Sequence, residues 1–161
     1  MTNSKKGPDR VREALSEAGI EADVQELPDS TRTASEAAQA VGCEVGQIAK
    51  SLVFQGKESE KPYLVIASGS NRVDERKLAM LIGEELKLAD PEFVREHSGY
   101  SIGGVPPLGH TKEFQSFMDE DLLSYDQIWA AAGSPRAVFP VDPKKIVDVT
   151  GTQVANVRAH G

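Results

Sequence analysis

Gln47-Ile48-Ala49-Lys50-Ser51-Leu52-Val53-Phe54 has the make-up of a β-strand, but a lysine stands in it where an apolar side chain is expected. Successive side chains of a strand point to opposite faces, so Ile48, Lys50, Leu52 and Phe54 share one face while Ala49, Ser51 and Val53 share the other. Lys50 therefore points with the apolar set. An ammonium buried without a partner is costly, so such a lysine pairs, deprotonates, or stays at a rim with its stem along apolar surface. The pattern alone allows two readings. One is a snorkelling lysine near a strand end; the other is a cation at the floor of a cleft, facing an anionic or carbonyl ligand.

Working outward, the polar connection from Gly56 to Pro62 leads into Tyr63-Leu64-Val65-Ile66-Ala67, an apolar run that reads as the second strand of a buried hairpin. Ser68-Gly69-Ser70-Asn71 turns the chain, and Val73, Lys77, Met80 and Leu81 organise a helix with Asp74 near its start and Gly83 near its end. Leu86 to Ala89 predicts a short strand. Asp90-Pro91, a cap followed by proline, opens a helix through Phe93, Val94 and His97 that Gly99 ends. On the N-terminal side, residues 1 to 7 read as frayed. Pro8-Asp9 opens a helix on Val11, Ala14, Leu15 and Ala18 that Gly19 stops, and Ile20 to Leu27 reads as a strand closed by Pro28-Asp29-Ser30. Thr33 or Ser35 caps a helix through Ala34, Ala37, Ala38 and Val41, with Gly42 at its end. Cys43 reads as a small packing residue, with no histidine beside it in sequence.

The stretch from Gly99 to His110 fits no regular template. Four glycines and the pair Pro106-Pro107 make it a shaped loop, one side permissive and the other stiff. It lacks the Gly-Lys-Ser/Thr ending of a phosphate-binding P-loop. Beyond it, Phe114 to Met118 predicts a strand, Asp119 to Tyr125 a helical turn, and Gln127 to Ala132 another strand. Gly133-Ser134-Pro135-Arg136 is a tight turn into Ala137 to Val141, and Asp142-Pro143 opens a last helix through Ile146, Val147 and Thr150 that Gly151 stops. Thr152 to Gly161 carries little signal and reads as a peripheral tail. Helices and strands mixed in this order, with several hairpins, predict an α+β domain with a mixed, largely antiparallel sheet flanked by helices.

At 161 residues the chain fits a single domain, 1 to 161, able to close a core without disulfides or metals. A net charge of -7 disfavours binding to DNA or other long nucleic acid through a broad basic face, although a local basic rim remains compatible with it. One cysteine excludes an internal disulfide, the start lacks the apolar core of a signal peptide, and no run reaches membrane-spanning length. A cytoplasmic protein away from the membrane is the expectation. His97, His110 and His160 form no close pair with each other or with Cys43, so neither a metal site nor a cofactor is expected. Neither the Gly-x-Ser-x-Gly elbow of serine hydrolases nor the Gly-x-G-x-x-Gly turn of dinucleotide folds occurs. What remains is a lysine and a glycine-rich loop able to aim backbone N–H groups, parts suited to stabilising negative charge on an oxygen.

Thr33-Ala34-Ser35-Glu36-Ala37-Ala38, the Gln47 to Phe54 strand, Gly103-Gly104-Val105-Pro106-Pro107 and the stretch from Ala132 to Phe139 resemble the YbaK/EbsC family. These are free-standing relatives of the editing domain inserted in bacterial prolyl-tRNA synthetases. The similarity runs from about Val11 to Gly151, and the four stretches keep the family's order. The resemblance implies an aminoacyl-tRNA deacylase that hydrolyses the ester of a mischarged tRNA, of tRNA-Pro or a related one, without a cofactor. The motif lysine falls on Lys50 and the family's Gly-x-x-x-Pro loop on Gly103 to Pro107. Lys50, Gly103 and Gly104 are then the expected catalytic groups, with Thr33, Ser51, Val105, Pro106, Pro107, His110, Gly133 and Ser134 around the substrate. Some relatives that act on cysteinyl-tRNA carry an aspartate in the strand after the Gly133 turn, where this chain has Ala137, Val138 and Phe139. That departure points away from a cysteinyl substrate. The implied partners are the 3′ end of an aminoacylated tRNA and an aminoacyl-tRNA synthetase, with Arg72, Arg76, Lys77, Lys112 and Arg136 available to hold the tRNA. Two alternatives stay open: a non-catalytic module that binds aminoacyl-tRNA or a synthetase, and a pocket protein for a small amino-acid-like or nucleotide ligand.

Overall fold

Polar caps at the start and glycines at the end set the helix boundaries. The computed structural model describes residues 7–27 and 33–159. In chain order these form α1 (Gly7–Glu17), β1 (Gln25–Glu26), α2 (Ala34–Val41), β2 (Ile48–Gly56), β3 (Pro62–Ser68), α3 (Glu75–Ile82), β4 (Leu86–Leu88), α4 (Pro91–Ser98), β5 (Gln115–Asp119), β6 (Ile128–Ala131), β7 (Ala137–Val141), α5 (Pro143–Thr150) and β8 (Gln153–Ala155). Short 3-10 turns stand at Val45–Gln47 and Glu120–Ser124. Thr33, not Ser35, caps α2: its hydroxyl accepts from the Glu36 N–H while the Glu36 carboxylate accepts from the Thr33 N–H, a reciprocal box. Asp74, Asp90 and Asp142 cap α3, α4 and α5, and left-handed Gly42, Gly83, Gly99 and Gly151 end the four capped helices.

The strands form one curled mixed sheet in the order β1-β7-β6-β2-β3-β5-β8, with β4 added on β2. Antiparallel pairings join β1 to β7, β2 to β3, β2 to β4 and β6 to β7; parallel ones join β2 to β6, β3 to β5 and β5 to β8. Antiparallel pairing is therefore in the majority in an α+β fold. The alternation predicted for β2 divides the core. Ala49 and Val53 pack with Leu64, Ile66, Met118, Phe139 and Ile146 on one face. Phe54 joins Tyr63, Val65, Leu78 and Phe117 on the other, and Ile48 joins Trp129 and Val138. Each buried Val, Leu, Ile, Phe or Met side chain among these contributes about 1.5–3 kcal/mol relative to exposure, so the two-faced packing holds β2 in register.

Four expectations need correction. Ile20 to Leu27 is not a full strand: Ile20, Val24 and Leu27 are buried, but only Gln25 and Glu26 pair, with Val138 and Ala137. Burial without a ladder produced the strand-like pattern. In α3 the inward positions are Leu78 and, partly, Ile82, whereas Met80 is 85% and Leu81 41% exposed. Lys77 is fixed instead by its ammonium, which donates to the Arg158 carbonyl and the Asn156 side chain. Residues 152 to 159 are not a peripheral tail, because β8 pairs in parallel with β5 and Val157 is fully buried. Three residues on a sheet edge leave too short a pattern to read. Gly7 already belongs to α1; residues 1 to 6, the Pro28-Asp29-Ser30 turn and His160 lie outside the described residues.

Candidate active site

A cleft arises where two neighbours of β2 fail to meet. On one edge β2 pairs with β6 at Ile48 and Ala49, and with β4 from Phe54 to Gly56. Continuing the β4 register places Pro91, the first residue of α4, opposite Ser51. Proline has no N–H to give and the chain has turned helical, so the ladder stops. The opening is a cleft of about 300 Å³ walled by α2, β2, β4, α4, β6, β7 and the loop residues Ile102, Gly103 and Val105. Its lining is mostly apolar, with Ala34, Ala49, Ala89, Ala130 and Ala137 beside the bulkier Ile48, Leu52, Leu88, Ile102 and Trp129. Lys50 is the one charged side chain among the described residues that line it.

Lys50 is half-buried, and its ammonium donates to the Asn71 carbonyl at 3.2 Å. Burial lowers its pKa, opposed more weakly by the charge of Asp119. Asp119, at the end of β5, is fully buried. Its carboxylate accepts from the Ser68 N–H at 3.1 Å, the Asn71 side-chain amide at 2.8 Å and the Asp121 N–H at 3.0 Å. The Asn71 amide also donates to Asp121 at 2.8 Å, and Arg158 closes the chain with bonds to Asp121 and Glu120. The residue whose backbone carbonyl holds Lys50 is thus anchored through its side chain to a buried carboxylate. Lys50 is neither a plain snorkelling side chain nor fully sequestered: it is a cation tethered at one point beside an apolar cleft. Asp119 and Asn71 were not singled out in the sequence. The available signal was an aspartate closing the strand pattern Phe114 to Met118, and it also fits an ordinary helix cap, a role Asp119 fills for the 3-10 turn.

The Gly99–His110 loop is shaped by close backbone approaches. Gly103 has φ +89°, open space at its missing side chain, and Pro135 as its nearest neighbour at 3.7 Å. Gly104 is different. Its N–H donates to the Ser101 carbonyl, its carbonyl accepts from the Gly133 N–H, and a Cβ there would lie 2.8 Å from the Ser134 backbone. The expectation that Gly104 supplies a donor to substrate is corrected: that N–H is already spent inside the loop. Its role is to let the loop and the Gly133-Ser134 turn touch.

Of the other expected positions, Thr33, Ser51 and Val105 line the cleft, although the Thr33 hydroxyl is engaged in its cap. Pro106, Pro107, His110, Gly133 and Ser134 do not line it. His110 lies behind the loop, its Nε2 hydrogen-bonded to the Pro106 carbonyl at 2.6 Å and its ring edge-on to Phe114. Burial lowers its pKa, against the opposing effect of that bond. It buttresses the loop and does not face the cleft. The Ser134 hydroxyl accepts from the Arg136 N–H within the turn.

Among the basic residues expected to hold tRNA, Lys112 faces Glu96, Arg136 donates to the Leu27 carbonyl, and Lys77 is engaged as described. Arg72 follows Asn71 in the chain, next to the carbonyl that holds Lys50. Among the described residues no group of three histidine, cysteine or acidic side chains could hold a metal, and no helix is long and apolar enough to cross a membrane.

Comparison with known proteins identifies the chain's relatives. The family model described as "Aminoacyl-tRNA editing domain" matches residues 28–149. The chain is 30% identical over 144 residues to "Uncharacterized protein YwhH" of Bacillus subtilis, spanning 89% of this chain and 91% of that one. It is 31% identical over 129 residues to "Putative Cys-tRNA(Pro)/Cys-tRNA(Cys) deacylase EbsC" of Enterococcus faecalis, spanning 78% and 76%. A crystal structure described as that of "a putative trans-editing enzyme for prolyl tRNA synthetase" superposes with a TM-score of 0.90 at 50% identity, over 97% of this chain and 99% of that one.

Proposed function

The chain belongs to the aminoacyl-tRNA editing domain family, of YbaK/EbsC type, and from that premise we propose that it is a trans-acting deacylase, hydrolysing the ester of a mischarged tRNA. The observation that carries the reading is Lys50: a single tethered cation beside an apolar cleft. An aminoacyl ester is already activated, so a protein that holds the carbonyl and stabilises the tetrahedral oxyanion has little further chemistry to supply. Water adds to the carbonyl carbon, the bond to the ribose oxygen breaks, and that oxygen leaves with a proton. The vicinal ribose hydroxyl can help to position the water. Lys50 retains donors beyond the one given to Asn71 and is the group that meets the developing charge. Gly103 brings backbone to the cleft wall without a side chain in the way.

Support for a mischarged tRNA-Pro comes from the likeness to the trans-editing structure. The acceptor end of the tRNA is the proposed partner, with a synthetase as the source of the error. The test is turnover: purified protein is mixed with tRNA-Pro charged with alanine, serine or cysteine, and the surviving ester is followed. Hydrolysis of one or more above the spontaneous rate supports the proposal. Binding without hydrolysis supports the non-catalytic module instead.

A further inference from the structure

The break in the sheet has a defined width. Lys50, Leu52 and Phe54 exchange backbone hydrogen bonds with β3, as the flanking bonds from Gly69 N–H to the Ile48 carbonyl and from Gly56 N–H to the Lys61 carbonyl show. The peptide groups of Ala49, Ser51 and Val53 therefore face the opposite edge. Ala49 is taken there by β6, and the Val53 carbonyl by the Ala89 N–H. Ser51 lies between them, opposite the position that Pro91 leaves without a donor. Ser51 is therefore the residue of β2 that turns both its N–H and its C=O into the cleft, between the β6 pairing at Ala49 and the bond from Ala89 N–H to the Val53 carbonyl.

We infer that the aminoacyl group of the substrate fills this slot as the missing partner residue of Ser51. The Ser51 N–H donates to the acyl carbonyl, and the substrate's α-ammonium donates to the Ser51 carbonyl. The inference rests on the deacylase reading for its ligand. An amino acid esterified through its carboxyl carries both groups on one Cα, as a residue of a hydrogen-bonded antiparallel pair does. A peptide strand that continued the ladder is excluded because β6 and β4 take the pairing positions on both sides, so the ester-linked ribose leaves the plane of the sheet. In such a pair the facing side chains lie on the same face of the sheet. The substrate side chain then enters the space bounded by Val53, Ala89, Val94 and Val105, on the face of Ser51. The Ser51 hydroxyl on that face has no hydrogen-bond partner among the described residues. A D-amino acid making the same two bonds would send its side chain to the face of Lys50 and Leu52.

The test uses a ligand that cannot be hydrolysed, 3′-(L-alanylamino)-3′-deoxyadenosine, titrated into 15N-labelled protein. The Ser51 amide resonance should shift and its hydrogen exchange should slow. The D-alanyl and N-acetyl-L-alanyl forms should bind at least about tenfold more weakly, since one misplaces the side chain and the other removes the ammonium. Equal affinity for all three, an unmoved Ser51 amide with ligand bound, or no binding at millimolar ligand would overturn the slot. Turnover of mischarged tRNA is measured on the same protein. Turnover with an unmoved Ser51 amide removes the slot and keeps the deacylase; a Ser51 response without turnover keeps the slot and removes the deacylase.

Discussion

Replacing Lys50 by methionine separates the catalytic reading of that side chain from a structural one. The substitution keeps the stem and deletes the ammonium, which in the structure makes a 3.2 Å bond to the Asn71 carbonyl. A charged hydrogen bond to a neutral acceptor contributes about 1.5–3 kcal/mol. Against that stands the desolvation that lowers the lysine's pKa, a cost the methionine does not carry. The two oppose each other, so the net change in stability should stay within about 1 kcal/mol, or roughly 2–4 °C in Tm for a domain of this size. Catalysis has no such compensation. Losing a preorganised group at a developing oxyanion costs about 2.7–4 kcal/mol, a factor of about 10²–10³ in single-turnover rate. The pH dependence gives a further check. The folded pKa lies below 10.5, so between that folded value and 10.5 the unfolded chain binds more protons and stability rises with pH. Wild type should gain on the variant across that window. Melts from pH 7 to 10.5 and deacylation rates on the same samples test all three outcomes. A variant that keeps nearly the full rate, or one that loses more than about 3 kcal/mol of stability, refutes the reasoning.

Asp119→Asn must leave at least one of three hydrogen bonds to this buried side chain unmade, because an amide cannot accept at both atoms. It should cost about 2 kcal/mol in urea unfolding, and its deacylation rate should fall under conditions where the variant is fully folded. Gly103→Ala has room but needs a positive φ, so it should lose about 1–2 kcal/mol with a measurable fall in rate. Gly104→Ala puts a Cβ against the Ser134 backbone and should lose more stability than Gly103→Ala; the reverse order in denaturation would contradict the packing described. The Glu84 carboxylate accepts from the Ser59 hydroxyl, the Ser59 and Glu58 N–H groups and the Tyr63 hydroxyl, which hold its pKa at about 2. That stabilisation is present above pH 4.5 and lost as pH falls through about 2, so acid unfolding of Glu84→Gln should lack this part of the wild-type slope.

What the sequence made legible was whatever a local signal encodes. Cap-plus-proline pairs marked α4 and α5, the Thr33 and Glu36 spacing marked α2, and strict alternation placed Lys50 on its face of β2. Expectations went astray where a pattern had a second physical cause. Ile20 and Val24 bury side chains without pairing, and Met80 extends a helical stripe that the fold leaves in solvent. The site itself depends on contacts far apart in sequence. Asp119 reaches Asn71 across 48 positions, and the opening beside Ser51 exists because Pro91 interrupts a ladder begun at Gly56. Neither the spent N–H of Gly104 nor the turned-away His110 could be read from a loop whose composition shows only that it is shaped.

The central claim, hydrolysis of a mischarged aminoacyl-tRNA ester by this chain alone, is tested most directly by single-turnover deacylation. A panel of tRNAs, each charged with a wrong amino acid, is set beside correctly charged Pro-tRNA(Pro), with enzyme saturating and spontaneous hydrolysis measured in parallel. One or more mischarged species should lose its ester at least about a hundredfold faster than the spontaneous rate, a modest acceleration for an enzyme, while Pro-tRNA(Pro) is spared. A panel that decays at the spontaneous rate throughout, with tRNA bound, would contradict it.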